Sequence, residues 1–192
     1  MRRPFRTVLI GILALFLLPL AVHAALYASK DRPGSFRDAD WSSVGMLPSA
    51  SADREARLLV FTGRTGRWKG IFAIHSWVVY KPEGTASWNR YDVVGWGQPV
   101  RSNGWDPDGR WFGDVPRVLV DVRGEEAAAL IPKVKAAIAA YSYSNFGDYR
   151  MWPGPNSNTF TATVLRAVPE LAVTLPSNAV GKDFRPYPYL GL

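Results

Sequence analysis

Arg2, Arg3 and Arg6 precede an uncharged run from Thr7 to Ser29, aliphatic almost throughout from Val8 to Leu18. Basic residues ahead of such a run mark an export signal or a single membrane anchor. Pro19 and Val22-His23-Ala24 resemble the end of a cleavable signal. The run nevertheless continues through Ala25, Leu26, Tyr27 and Ala28, giving the roughly 20 residues that span a bilayer. Retention as an anchor is the favoured of the two outcomes. Arg2-Arg3 lies too close to the start to read as a twin-arginine signal. One hydrophobic helix is expected over 1–29, with the domain after it outside the cytoplasm.

Beyond that run the pattern changes to alternation. Residues 30–50 are mixed polar and charged, with Trp41 and a Leu47-Pro48-Ser49 turn signal, and read as a linker and lead-in. Ala56–Thr62 predicts a first strand. Gly63, Gly66 and Gly70 punctuate a connection containing Arg64, Arg67 and Lys69. Ile71–Tyr80 is the strongest strand: Ile71, Ala73, His75, Trp77 and Val79 share one face, Phe72, Ile74, Ser76, Val78 and Tyr80 the other. Both faces are largely apolar, which predicts a central position. Pro82 and Gly84 mark a hairpin-like turn before a partner strand, Trp88–Trp96. A long Gly-, Pro-, Asp- and Trp-rich loop over 97–116 precedes a strand at Arg117–Arg123.

Helical spacing then takes over. Leu130, Ile131, Val134, Ile138 and Tyr141 define an apolar stripe in a helix over Glu125–Tyr141, which Pro132 should kink or restart. A second helix is predicted over about Ser157–Val168, with Phe160, Val164 and Val168 buried and Pro169 as the stop. Repeated prolines from Leu175 predict extended chain, and 184–192 a tail. Strands and then helices predict an α+β domain over 51–183, an antiparallel sheet with helices packed on one side.

Composition narrows the chemistry. With 192 residues and 47% hydrophobic content, the chain can form one well-cored domain. The absence of cysteine excludes a disulfide framework, a thiolate metal site and a cysteine nucleophile. The formal charge is +7, but Arg2, Arg3 and Arg6 belong to the targeting segment, so the remainder carries +4 without a dense basic run. That suits anionic envelope polymers or lipid headgroups and does not point to nucleic acid. No cofactor is expected, and a single His in the domain argues against a multi-histidine metal centre. Oligomeric state is not encoded in any pattern.

His75 is the one histidine outside the hydrophobic run, and imidazole can act as a general base near neutral pH. Pro153-Gly154-Pro155-Asn156-Ser157-Asn158-Thr159-Phe160 opens the second helix. Ser157 has two readings: a helix cap, or a nucleophile with the helix's first amides as oxyanion donors. A serine hydroxyl needs a base, so the second reading requires His75 within reach. Asn89 and Asp92 are the available orienting partners for the imidazole; simple alternation puts them on opposite faces, and Asn89 is favoured. Asn156, Asn158, Trp77 and Trp152 are candidate binding residues. Trp68, Trp88, Trp96, Trp105, Trp111 and Trp152 lie near predicted loops and strand ends, where they could line a groove or simply fill cores. Asp106-Pro107-Asp108-Gly109 reads as a turn built on Asp side chains rather than a calcium loop.

HSWVVYKP at 75–82, VVGWG at 93–97, DGRWFGD at 108–114, GPNSNTF at 154–160, PEL at 169–171 and GKD at 181–183 resemble the bacterial domain-of-unknown-function family 3750. That implies a bacterial protein; with the apolar run kept as an anchor, the expected place is the inner membrane, with the domain on the periplasmic or extracytoplasmic side. A second resemblance is one of organisation. An early strand histidine, with a later helix opening on Asn-Cys-x-x-Phe, is the pattern of circularly permuted papain-like proteins, among them lecithin:retinol acyltransferase-like and cell-wall amidase-like members. Asn156-Ser157-Asn158-Thr159-Phe160 is similar to that motif, with Ser157 at the Cys position. The resemblance implies a permuted papain-like fold and hydrolase or acyltransferase chemistry on an amide or ester. The loss of the thiol leaves either a serine variant or a fold that kept its groove and lost the reaction. The alternative function is a non-catalytic binding or structural module whose Trp-lined groove holds an envelope component: peptidoglycan, lipid or protein.

Overall fold

The computed structural model describes residues 2–185. The expected tail therefore lies almost wholly outside the described residues. An apolar helix, α1 (Arg2–Ala28), leads into a five-stranded antiparallel sheet of β1 (Arg57–Arg64), β2 (Ile74–Lys81), β3 (Asn89–Val93), β4 (Val100–Ser102) and β5 (Arg117–Arg123). The spatial order is β4-β3-β2-β1-β5, so β2 is the middle strand and every one of its residues is buried. Two helices come after the sheet, α2 (Gly124–Ala139) and α3 (Ser157–Ala167). The fold is α+β, as the strand-then-helix order implies.

The two faces of β2 have different covers. Val78 and Tyr80, with Leu58, Val60, Val93 and Val120 from the neighbouring strands, pack against Ala127, Leu130, Ile131 and Val134 of α2 and Phe160, Val164 and Leu165 of α3. Trp77 and Val79, with Leu59 and Phe61, instead meet Val94 and Trp111, joined by Trp41, Trp88, Trp105 and Phe112. Both helices therefore occupy one side, and tryptophan-bearing loops cover the other. Residues 30–50 contribute to that cover: Trp41 lies 5.0 Å, centroid to centroid, from Trp111, and Ser43 pairs with Gly109.

Several element boundaries differ from expectation. The strand expected to begin at Ile71 begins at Ile74, because Arg67–Ile71 closes into a 3-10 turn whose Lys69 carbonyl takes the amides of Phe72 and Ala73. β4 emerges inside the expected loop; only three residues long, it pairs with β3 without a periodicity of its own. The α2 helix is not restarted at Pro132. Leu130, Ile131 and Val134, all buried around that residue, hold the turn together despite the missing N–H.

Candidate functional site

The start of α3 is built from Asn156, not Ser157. Asn156 Oδ1 accepts from the amides of Asn158 (2.9 Å) and Thr159 (3.2 Å), and Thr159 Oγ1 accepts from the Asn156 amide at 3.1 Å. This reciprocal pair forms a capping box. Asn156 Nδ2 also donates to the carbonyls of Met151 and Val180, at 2.9 and 3.0 Å. Gly181, at φ +87, makes room for it: a Cβ there would overlap the Asn156 amide. The capping reading thus falls on Asn156, and the Ser157 hydroxyl stands outside the cap.

Asn158 fastens the helix to the sheet. Its Nδ2 donates to Ile74 O and Val180 O, both at 2.9 Å, and its Oδ1 accepts from Ser76 Oγ at 2.8 Å. Asn156 and Asn158 both line a cavity of about 310 Å³, but their amides are committed to protein partners. Together they fix the start of α3, at Ser157, and tie it to β2.

Ser157 and His75 line that same cavity, at the end of the sheet where β2 begins and β3 ends. Both residues are buried. No hydrogen bond joins the two side chains among the described residues. The imidazole stacks on the Trp111 indole, with centroids 3.6 Å apart and planes within 2°. Its Nε2 faces Asp92 Oδ2 at 3.6 Å, which is long for a hydrogen bond. Asp92 Oδ2 also accepts from Arg90 Nε (3.0 Å) and Nη2 (2.7 Å), and neither Asp92 nor Arg90 is accessible to solvent. Burial holds the His75 imidazole below its usual pKa; Asp92 acts in the opposite sense and Arg90 with burial. Burial likewise lowers the Arg90 guanidinium from its usual value, opposed by Asp92.

Asn89, the favoured orienting residue, does not face His75. It pairs with Tyr80 in the β2–β3 ladder, whose register also sets Arg90 opposite Val79. Extending that ladder puts Asp92 opposite Trp77, on the face that carries His75, and Asn89 on the helix face. Asp92 is therefore the residue in contact. The signal was parity: a seven-residue connection between β2 and β3 sets which partner residues share a face, and composition cannot fix that length.

Trp77 does not line the cavity. It is fully buried, stacked on Phe61 at 5.6 Å, and its Nε1 donates to Pro107 O at 3.0 Å, which makes it a core residue. Trp152 does line the cavity and is 75% exposed, as are, to lesser degrees, Met151, Trp68, Phe72 and Trp96. Those exposed walls place the cavity mouth at the surface. The tryptophans thus divide: Trp77 and Trp111 fill the second core, whereas Trp68, Trp96 and Trp152 surround the opening.

The first amides of α3 offer fewer oxyanion donors than the sequence suggests. Asn156 takes those of Asn158 and Thr159 with its side chain and that of Phe160 with its carbonyl. Ser157 N–H is the remaining first-turn donor. The Asp106–Gly109 segment is a staple: Asp108 accepts from Ser43 Oγ, Met46 N and Leu47 N. Among the described residues no cluster of three or more His, Cys, Asp or Glu could hold a metal.

The architecture defines an α+β protein with a cavity lined by a serine and a histidine, the histidine backed by a buried carboxylate outside the lining. The family model DUF3750, described as a protein of unknown function, matches residues 55–184. The chain belongs to that family. No curated protein and no solved structure matches it.

Proposed function

We propose that the cavity performs acyl chemistry on an amide or ester, with Ser157 as nucleophile and His75 as base. Asp92 takes the orienting role in place of Asn89. The carrying observation is that Ser157, freed from capping by Asn156, shares a cavity with a buried, neutral-leaning imidazole backed by a carboxylate. The arrangement is reminiscent of permuted papain-like proteins: a strand histidine, and a helix opening on Asn-Ser-x-x-Phe tied to that strand through Ser76 and Asn158.

Ser157 Oγ bonds to the carbonyl carbon as its proton passes to His75, with the developing oxyanion at the Ser157 N–H. The imidazolium returns the proton to the departing amine or alcohol as the C–N or C–O bond breaks. Water or a second acceptor then releases the acyl group. Depression of the His75 pKa keeps its base form populated at neutral pH.

A second reading is favoured by two observations: among the described residues no hydrogen bond joins Ser157 to His75, and the cavity walls are mostly apolar. It makes the domain a non-catalytic module holding an envelope component. Both readings take α1 as an anchor in the bacterial inner membrane, with the domain on the extracytoplasmic side. A serine-directed acylating probe separates them. Labelling of the wild-type protein that vanishes in Ser157→Ala and falls in His75→Gln is the enzyme's outcome. Equal labelling of wild type and Ser157→Ala overturns it.

A further inference from the structure

The apolar helix and the cavity mouth are physically continuous. α1 is apolar over Pro4–Ala28, with mean hydropathy 2.5 in its best window and none of that window buried, so that stretch is open to a lipid environment. Twenty-five residues at about 1.5 Å each give roughly 37 Å, more than the hydrocarbon thickness of a bilayer. Its C-terminal end is fastened to the domain. His23 Nε2 lies 3.1 Å from Ile71 O, and the buried Tyr27 donates its hydroxyl to Arg67 O at 2.8 Å. The Arg32 guanidinium lies 3.7 Å from the Tyr27 ring centroid and pairs with Asp114. Gly70 is the residue that lets Tyr27 so close, because a Cβ there would overlap the Tyr27 hydroxyl.

The segment gripped by α1 is the Arg67–Ile71 turn, and this turn also forms the cavity rim. Trp68, 62% exposed, and Phe72, 48% exposed, both line the cavity that holds Ser157 and His75. Arg67 and Lys69 flank Trp68. Tryptophan beside lysine and arginine at the end of an apolar helix is the composition of a membrane–water interface, where basic residues meet anionic headgroups. His23 lies upstream of Ala24, so its contact exists only in a chain that keeps α1.

We propose that the cavity takes the acyl chain of a membrane lipid, entering from the bilayer that holds α1, past Trp68 and Phe72. The occupant follows from continuity: one five-residue turn joins the membrane-length helix to the mouth, and the walls beyond include Val93, Val94, Trp111 and Phe112. The cavity is in the size range of small-molecule sites, roughly 300–1,000 Å³. The inference rests on the acyl-chemistry reading only for the step after binding, where the lipid's carbonyl would meet Ser157.

The test uses the full chain in phosphatidylglycerol-containing vesicles. Because the protein has no cysteine, Trp68→Cys, Phe72→Cys and Glu83→Cys can each carry one fluorophore; residue 83 lies past the far end of β2. Lipid-borne nitroxides should quench the labels at 68 and 72 several-fold more than that at 83. A phospholipid with a photoreactive acyl chain should crosslink to cavity residues in wild type and in Ser157→Ala. Equal quenching at the three positions, or crosslinks confined to α1, overturns the inference. Persistent cavity crosslinks in a protein that the serine probe fails to label remove the acyl chemistry and uphold lipid binding. Ser157 labelling without cavity crosslinks removes lipid binding alone.

Discussion

Asp92 Oδ2 stands 3.6 Å from His75 Nε2 while it accepts two hydrogen bonds from the buried guanidinium of Arg90. One carboxylate oxygen thus serves a structural ion pair and faces the imidazole. Its other oxygen, Oδ1, is sealed without a hydrogen-bond partner among the described residues. The two duties make Asp92 sensitive to substitution in distinguishable ways.

Asp92→Ala should destabilise the domain by about 3–5 kcal/mol, because it strands the Arg90 charge in the core. Asp92→Asn keeps the shape and should retain more stability while lowering kcat more than it changes KM. Asn89→Ala, on the opposite face of the sheet, should leave kcat unchanged. Chemical denaturation alongside turnover of an activated ester checks all three; a kcat loss in Asn89→Ala with Asp92→Asn fully active would reverse the assignment.

His75 should contribute a pH dependence of its own. Burial lowers its pKa in the folded chain. Between the folded value and the unfolded value of about 6.5, the unfolded chain binds more protons. Its contribution to stability is therefore complete above about 6.5 and declines as pH falls through that window. The acid limb of kcat/KM should likewise have its midpoint below about 6.5, since the base form persists there. Denaturation from pH 4 to 8, repeated on His75→Gln, isolates the His75 contribution, which the variant should lack.

The helix cap and the proposed nucleophile are adjacent residues. Asn156→Ala removes the cap and the donors to Met151 O and Val180 O, and should cost about 2 kcal/mol. Ser157→Ala touches no cap bond, and its hydroxyl makes no hydrogen bond among the described residues, so it should cost less than Asn156→Ala, about 1 kcal/mol or below, while abolishing probe labelling. Thermal melts of the two variants decide the matter; a larger loss in Ser157→Ala would return the capping role to Ser157.

Tyr27 is the lock between α1 and the domain. Tyr27→Ala removes its hydroxyl bond and the ring beneath Arg32. Limited proteolysis of the vesicle-bound chain should then cut faster between residues 29 and 40, with the sheet still resistant. An unchanged cutting rate would mean that the lock contributes nothing.

Local signals were legible where the physics is local. Alternation at Ile71–Tyr80 announced a central strand, since apolar residues on both faces require covers on both. The stripe Phe160–Val164–Val168 announced a helix, and Pro169 its end. Pro132 left a kink or a restart open, and the helix runs through it without a restart, because buried neighbours can carry a helix past one missing N–H. The division of the tryptophans was hidden, since an indole fills a core or lines a mouth with equal ease.

From sequence alone came the α+β class, the apolar leader, the family strings and the pairing of His75 with Ser157 as the chemistry to look for. Those features depend on periodicity and residue type within short windows. Tertiary structure decided that Asn156 caps α3, that Asp92 rather than Asn89 meets the imidazole, that Trp77 is core, and that the Arg67–Ile71 turn joins α1 to the cavity mouth. Each depends on strand register or on contacts between distant segments, and the geometry that brings them together exists only once the chain has closed on itself.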